Sequence, residues 1–348
     1  MVARGRVASD RRSQLPVSTP AWLAGRKPRR MPSEGPMSGP IYPSPQVLCP
    51  LCGSTAALRV RDYDTCWILA VWRDLLRVDV LAELPELGTI RLWSCQNCRL
   101  EYFLPAKAGS GTFYAQLQAI PSYYPSFKWE HAQALAQTRS GERVLEVGCG
   151  TGDFLGRLRN AGAKAEGLEL NEAAAHIARK HGLRARCEPM STLIRAGAVY
   201  DTVMAFQVLE HVPDPGDFLR QCVSLLKPEP GARLVIGVPD ADGYHRHVLD
   251  PFDLPPHHMT RWTRRSLMFA AEMLGLRLDR LAASPLDDAH AFMWASGTLG
   301  RATGKLVDVT RPAGFAARAL ARLVRTSGLK RWIPGHTVYA SFSRPSGL

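Results

Sequence analysis

Val144-Leu145-Glu146-Val147-Gly148-Cys149-Gly150-Thr151-Gly152-Asp153 is the stretch that decides the fold. An apolar run of strand length ends in three glycines at alternate positions, and a helical pattern follows. Glycine lets the backbone approach a ligand where a side chain would block it, and a helix that starts just beyond such a turn aims its free N–H groups at that ligand. The spacing separates two ligand classes. A dinucleotide fingerprint needs GxGxxG, and counted from Gly148 its last position is Asp153, so that pattern fails. The run reads ExGxGxG instead.

Beyond this run, strand-like segments alternate with helical ones, the signature of a parallel sheet covered on both faces. Strands are predicted at 143–147, 165–169, 183–187, 201–206, 232–238, 276–283 and 337–343, with helices near 129–139, 152–161, 172–181, 214–226 and 263–274. The expected fold class is α/β, a doubly wound Rossmann-like sheet over residues 129–284. Residues 285–335 stand where a simple fold needs only a turn, so 285–348 read as an inserted, partly helical cap followed by the last strand. The second strand ends in Gly167-Leu168-Glu169-Leu170-Asn171, and Glu169, 21 residues after Gly148, is placed to accept hydrogen bonds from ribose hydroxyls. Tyr200 to Pro215 carries the fourth strand to its carboxyl end, where open sheets of this type bind ligands.

The union of ExGxGxG with Glu169 resembles the cofactor-binding half of the class I S-adenosylmethionine-dependent methyltransferases. That resemblance implies that Gly148, Gly150 and Gly152 line the methionine part of the cofactor, that Glu146 supports the loop, and that Glu169 grips the ribose. Asn171 and Gln207, at the ends of the second and fourth strands, complete the implied cofactor set. The segment from Tyr200 to Pro215 is similar to the FDxVxxxxVLEHVxDP runs of ubiquinone-pathway O-methyltransferases and of bacterial small-molecule methyltransferases. Some of the former have an acidic residue at the position of Gln207, where it helps to hold a divalent metal, so Gln207 counts against a catalytic metal. Asp253 to Leu267 resembles the PPHH loop of zinc-ribbon-linked methyltransferases and should lie over the substrate mouth.

Methyl transfer from a sulfonium releases a neutral leaving group, so positioning supplies much of the acceleration. An oxygen or carbon acceptor must also lose a proton, and His211, His257 and His258 are the candidate bases. For His211 the plainer alternative is a helix-start residue bonded to backbone. Resemblance to sugar methyltransferases with similar N-terminal ribbons implies a small-molecule acceptor, methylated at O (or C or N), with a sugar or glycan intermediate as the class. Two alternatives stay open: an RNA methyltransferase that docks through its ribbon, and a protein that holds the cofactor without catalysis.

Two CxxC pairs, Cys49-Pro50-Leu51-Cys52 and Cys95-Gln96-Asn97-Cys98, can present four thiolates to one structural zinc. The 42 residues between the pairs exceed the usual ribbon spacing, so further elements must be inserted, and a redox dithiol is the alternative reading. Residues 46–128 are therefore expected to form a zinc-ribbon module and link. Residues 1–45 are rich in Pro, Gly, Ser and Arg and are predicted to be a disordered basic tail; the first 46 residues hold eight Arg or Lys against Asp10 and Glu34. The tail thus carries +6 of the formal charge of +13, and the rest is mixed-sign surface that does not demand a nucleic-acid partner. Residues 315–325 set Phe315, Leu320, Leu323 and Val324 apart from Arg318, Arg322 and Arg325, which reads as a surface helix or as a peripheral membrane contact. No stretch approaches the roughly 20 apolar residues of a spanning helix, and no apolar core follows the first Arg residues, so a cytoplasmic protein is expected.

Overall fold

The computed structural model describes residues 47–84, 88–120, 123, 127–303, 307–308 and 314–346; the predicted tail, 1–45, lies outside them. The N-terminal module is an antiparallel meander of β1 (Ala57–Asp64), β2 (Thr89–Cys95) and β3 (Glu101–Leu104). Two helices close its core: α1 (Thr65–Val71), capped by the Asp64 carboxylate, and α2 (Gly111–Gln118), capped by the Ser110 hydroxyl. Ile68, Trp72, Phe103 and Phe113 are buried between them.

The rest of the chain runs α3 (Trp129–Leu135), β4 (Arg143–Val147), α4 (Asp153–Asn160), β5 (Lys164–Leu168), α5 (Glu172–Lys180), β6 (Ala185–Arg186), α6 (Met190–Arg195), β7 (Thr202–Phe206), α7 (Pro215–Ser224) and β8 (Arg233–Pro239). It continues through β9 (Val248–Leu249), β10 (Thr260–Arg261), α8 (Arg264–Met273), β11 (Arg277–Pro285), α9 (Ala291–Thr303), β12 (Val307–Asp308), α10 (Phe315–Thr326) and β13 (Pro334–Ser343). Seven strands form one sheet in the order β11-β13-β8-β7-β4-β5-β6. β13 is antiparallel to both its neighbours, while β8, β7, β4, β5 and β6 run parallel. Helices cover both faces, which is why Val144, Leu145, Val203, Leu234 and Ile236 are all buried instead of alternating with polar residues. The strands and helices predicted from apolar periodicity all form. β6 is shorter than predicted, and α6 and the two-residue strands β9, β10 and β12 escape prediction because they are too short to carry a period.

Two arrangements position the site. The sheet order reverses between β4 and β7, since the chain builds outward through β5 and β6 before returning beside β4, and this opens a crevice at the carboxyl ends of those two strands. The N-terminal sheet takes its fourth strand from the PPHH segment: β10 pairs with β3, Thr260 opposite Tyr102 and Arg261 opposite Glu101. The module and the large sheet therefore share one continuous core, in which Leu51 and Tyr102 pack with Leu209 and Trp262.

The segment between β11 and β13 carries α9 and α10. Gly297 lets α9 approach the backbone at Tyr244, whose carbonyl oxygen a Cβ would meet at 2.5 Å. On α10 the inward face is Ala317, Ala321 and Val324, with Leu320 half-buried, so the predicted apolar face requires correction: Phe315 and Leu323 point outward, beside Arg318, Arg322 and Arg325. At about 100° per residue, positions 317, 321 and 324 share a side that 315 and 323 do not. Among the described residues no helix is long and apolar enough to cross a membrane.

At the crevice, Gly148 has φ +77°, and a Cβ on it would lie 2.3 Å from the Val208 Cγ2 methyl. The ends of β4 and β7 are thus packed backbone against side chain. Gly148→Ala is expected to cost about 2–6 kcal/mol in urea denaturation, the sum of left-handed strain and overpacking. Adding Val208→Ala should return the packing part only; a neutral Gly148→Ala would mean the two loops do not meet.

Candidate active site

The loop after β4 carries the three glycines in left-handed conformation, with φ +77° at Gly148, +54° at Gly150 and +87° at Gly152. Gly148 and Cys149 donate their N–H groups to the Leu168 carbonyl, tying the loop to the end of β5. A Cβ on Gly152 would strike Leu183 and Ala178, whereas one on Gly150 would meet nothing within 4 Å, so space stands open beside that residue. Glu146 lies beneath the loop, fully buried, and its Oε2 accepts no hydrogen bond among the described residues; burial pushes its pKa well above the ordinary carboxylate range.

Glu169 is turned toward the loop. Its Oε2 accepts from Gly150 N at 2.9 Å and its Oε1 from Asn171 N at 2.8 Å. Asn171 spends its side-chain oxygen as the N-cap of α5, accepting from Ala173 N and Ala174 N, so a structural duty stands where the sequence suggested a ligand contact. Gln207, at φ +56°, points its amide into the interior, where Nε2 donates to Glu130 Oε1 at 3.1 Å and Thr337 Oγ1 at 3.4 Å. These bonds brace α3 and β13 against the end of β7.

The fit of these residues to S-adenosylmethionine rests on that geometry. The cofactor is cationic at its amino group and at its sulfonium, and a buried carboxylate oxygen with no donor, below an open glycine turn, is a partner for positive charge.

His211, His257 and His258 are brought together. The PPHH segment is zipped onto the residues after β7: Met259 N donates to Glu210 O at 2.8 Å, and the Thr260 hydroxyl to Leu209 O at 3.3 Å. The His211 imidazole donates from Nδ1 to the His257 carbonyl at 2.7 Å. His257 donates from Nδ1 to Phe252 O at 2.7 Å, and the Tyr123 hydroxyl donates to its Nε2 at 2.6 Å. His258 donates from Nδ1 to Asp253 Oδ1 at 3.1 Å. Burial holds His211 down to about 4 and His257 and His258 well below the usual imidazole range, so all three are neutral.

Sequence reasoning passed over four neighbours. Glu210 is 1% exposed and neither carboxylate oxygen accepts a hydrogen bond among the described residues; burial pushes its pKa up to about 8. Tyr114 sets its ring edge-on to His211, and Tyr123 caps His257. Asp253 connects His258 to Arg261, whose guanidinium also reaches Glu101 at 3.4 Å. Glu210 carried a signal, as the acidic neighbour of His211; the tyrosines come from a segment far away in sequence and carried none. Beside the cluster lies a narrow recess of about 40 Å³, lined by Glu210, Asp240, His245, Asp253, His258 and His336.

The four cysteine sulfurs converge where the N-terminal module packs on the large sheet, in the cluster that holds Leu209 and Trp262. Cys49 and Cys98 face each other at 3.5 Å, Cys52 and Cys95 at 3.6 Å, and all four sulfurs lie within 4.8 Å of one another. Both CxxC turns end on a left-handed residue, Gly53 at φ +69° and Arg99 at φ +63°, each donating its N–H back to the first cysteine carbonyl.

The profile of a methyltransferase domain family matches residues 126–281. Ubiquinone biosynthesis O-methyltransferase of Bordetella avium is 42% identical over 106 residues, covering 28% of this chain and 44% of that protein. The protein of the same name from Acinetobacter baylyi is 36% identical over 107 residues, covering 28% and 43%. The chain thus spans less than half the length of these relatives. Among solved structures, a SAM-dependent methyltransferase from Archaeoglobus fulgidus aligns with a TM-score of 0.40 at 20% identity over 61% of this chain and 93% of that one, too loose a likeness to carry an argument. The strand order, the glycine turn at the reversal point and the family match together make residues 126–281 a class I S-adenosylmethionine-dependent methyltransferase domain.

Proposed function

We propose that the chain transfers a methyl group from S-adenosylmethionine to an oxygen atom of a small-molecule acceptor held at the mouth of the recess that Glu210 and His258 line. The observation that carries this reading is the meeting, at one reversal of strand order, of an open glycine turn over a carboxylate with an unpartnered oxygen and a cluster of neutral imidazoles. The relatives named ubiquinone biosynthesis O-methyltransferase support oxygen as the acceptor atom. The carboxylate and imidazole lining of the recess suits a hydroxyl-rich molecule, so a sugar or glycan intermediate is the acceptor class proposed.

When bound, the cofactor supplies an electrophilic methyl on a sulfonium. Glu146 faces its positive end, Gly150 leaves room for its backbone approach, and Glu169 both orders the Gly150 amide and offers its remaining lone pairs to ribose hydroxyls. His211 is the least buried of the three imidazoles and keeps its Nε2 lone pair, so the acceptor proton leaves toward it. His257, bonded at both nitrogens, positions His211 through its carbonyl.

The two tasks should fail separately. Glu169→Ala is expected to weaken cofactor binding by about 1.5–3 kcal/mol in calorimetry, the range for hydrogen bonds to a charged group. His211→Ala should leave that affinity nearly intact and lower turnover roughly 100-fold. Unchanged cofactor affinity in Glu169→Ala would remove this site from consideration.

The four cysteines are proposed to hold a structural zinc. Their paired sulfur separations of 3.5 and 3.6 Å approach the edge of about 3.8 Å expected of a tetrahedron with 2.3 Å metal–sulfur bonds. Four thiolates leave no open position, so this ion takes no part in the reaction. Elemental analysis of reduced protein should find zinc that Cys49→Ser with Cys95→Ser abolishes; zinc content unaffected by that change would exclude the assignment.

The outward face of α10 supports a peripheral contact with an anionic bilayer through residues 315–325. Phe315 is 88% exposed and Leu323 also stands out, among Arg318, Arg322 and Arg325. No acidic residue follows Asp308 in the sequence, so charge favours anionic headgroups. The protein is expected to float with vesicles containing phosphatidylglycerol and not with neutral ones, and Phe315→Ser with Arg322→Glu should abolish flotation; equal recovery with neutral vesicles would refute it.

A further inference from the structure

The arrangement of the three imidazoles asks for more than a proton acceptor. In each ring a carbonyl or carboxylate oxygen takes the Nδ1 proton: His257 O for His211, Phe252 O for His257 and Asp253 Oδ1 for His258. Each Nε2 therefore keeps its lone pair. Locking the proton on one nitrogen with a backbone carbonyl or a carboxylate is how metal-ligating histidines are oriented and their basicity raised. One ring nitrogen of each residue lies within 4.8 Å of those of the other two. Rings set this close, with their Nδ1 protons already committed, present lone pairs that a shared cation would join.

A second, independent observation is Glu210. Its carboxylate is buried, neither oxygen accepts a hydrogen bond among the described residues, and Oε1 lies 3.9 Å from His211 Nε2. A carboxyl group in such a place ionises readily only beside a positive partner. Arg261, the nearby buried guanidinium, is already engaged by Glu101 and Asp253.

We propose that His211, His257 and His258 bind one divalent cation of the class that accepts imidazole nitrogen, such as zinc, cobalt(II) or ferrous iron, with Glu210 as its compensating charge. The ion displaces the Tyr123 hydroxyl from His257 Nε2. Three nitrogen ligands leave positions open, in contrast to the closed cysteine site, and the same cluster borders the recess through Glu210 and His258. With the ion on its Nε2, His211 would no longer take the proton; an acceptor oxygen on the ion, more acidic than a free hydroxyl, would lose it toward the Glu210 carboxylate. The inference rests on the methyl-transfer reading only for the place of the acceptor; capture of the ion does not depend on it.

The test uses cobalt(II) as probe. Full-length protein, dialysed against a weak chelator that spares tetrathiolate zinc, is expected to bind about one equivalent of cobalt with the weak absorption bands of nitrogen and oxygen ligation and without thiolate charge transfer. His211→Ala with His258→Ala should lose this ion while keeping cofactor affinity by calorimetry. Asp253→Asn keeps all three ligands and serves if the double variant misfolds; it should weaken cobalt binding about 10–100-fold, as expected for loss of an orienting partner. Wild-type protein that binds no cobalt outside thiolate ligation, or variants that bind it as tightly as the parent, overturns the proposal. Cofactor binding to cobalt-free protein tests the methyl-transfer reading by itself, so the two can fail independently.

Discussion

The buried guanidinium of Arg261 is the interaction on which the rest of the site depends. It sits on β10, the short strand that the PPHH segment lends to the N-terminal sheet, and its charge is shared between Glu101 of β3 and Asp253 of the segment itself. Asp253 in turn takes the proton of His258. A buried ion network of this kind contributes little net stability, because desolvating the charges offsets their attraction. Its effect is geometric: removing any member leaves a buried charge unpaired, so the register of β10 on β3 and the orientation of His258 are set together.

From this follows the position of the N-terminal module. Tyr102 and Leu51 belong to the same apolar cluster as Leu209 and Trp262, and the Trp72 indole donates to the Pro255 carbonyl at 3.0 Å. The module is less an appended ribbon than the wall that holds the PPHH segment against the end of β7. The cysteine cluster joins the turn that precedes β1 to the turn between β2 and β3, and Cys49, Cys95 and Cys98 pack in the same apolar cluster as Leu209 and Trp262. Through those contacts the cysteines support the segments that carry the histidines.

The two halves of the crevice do different work by different physics. On the β4 side the elements are backbone conformation and a carboxylate with an unpartnered oxygen, both suited to a cationic ligand that brings its own charge. On the β7 side the groups are neutral, buried and tautomer-locked, suited to receive a proton or a cation. Gln207 marks the border. Its left-handed backbone turns the chain out of β7, and its amide faces inward to Glu130 and Thr337, leaving the crevice to Glu210 and the histidines.

What the sequence by itself determined is what depends on local periodicity and on turn chemistry. The strands of the large sheet announce themselves as apolar runs because they are buried on both faces, the glycines because only they accept the left-handed turn without cost, and the CxxC pairs because paired thiolates need that spacing. What only the tertiary structure decided is what depends on contacts between distant segments. The pairing of β10 with β3, the Tyr123 hydroxyl on His257 and the locked protons of three imidazoles join residues up to 160 positions apart, since Arg261 faces Glu101. A two-residue strand has no period to read. Asn171 shows the same limit from the other direction: its place at a strand end suggested a ligand contact, and the adjoining helix N-terminus claimed its oxygen as a cap. On α10 the residue types were right but their facing was not, because an amphipathic pattern with arginines on one side does not say which apolar residues meet the neighbouring helix. Side-chain identity is written locally, whereas which donor finds which acceptor is settled only when the core closes around them.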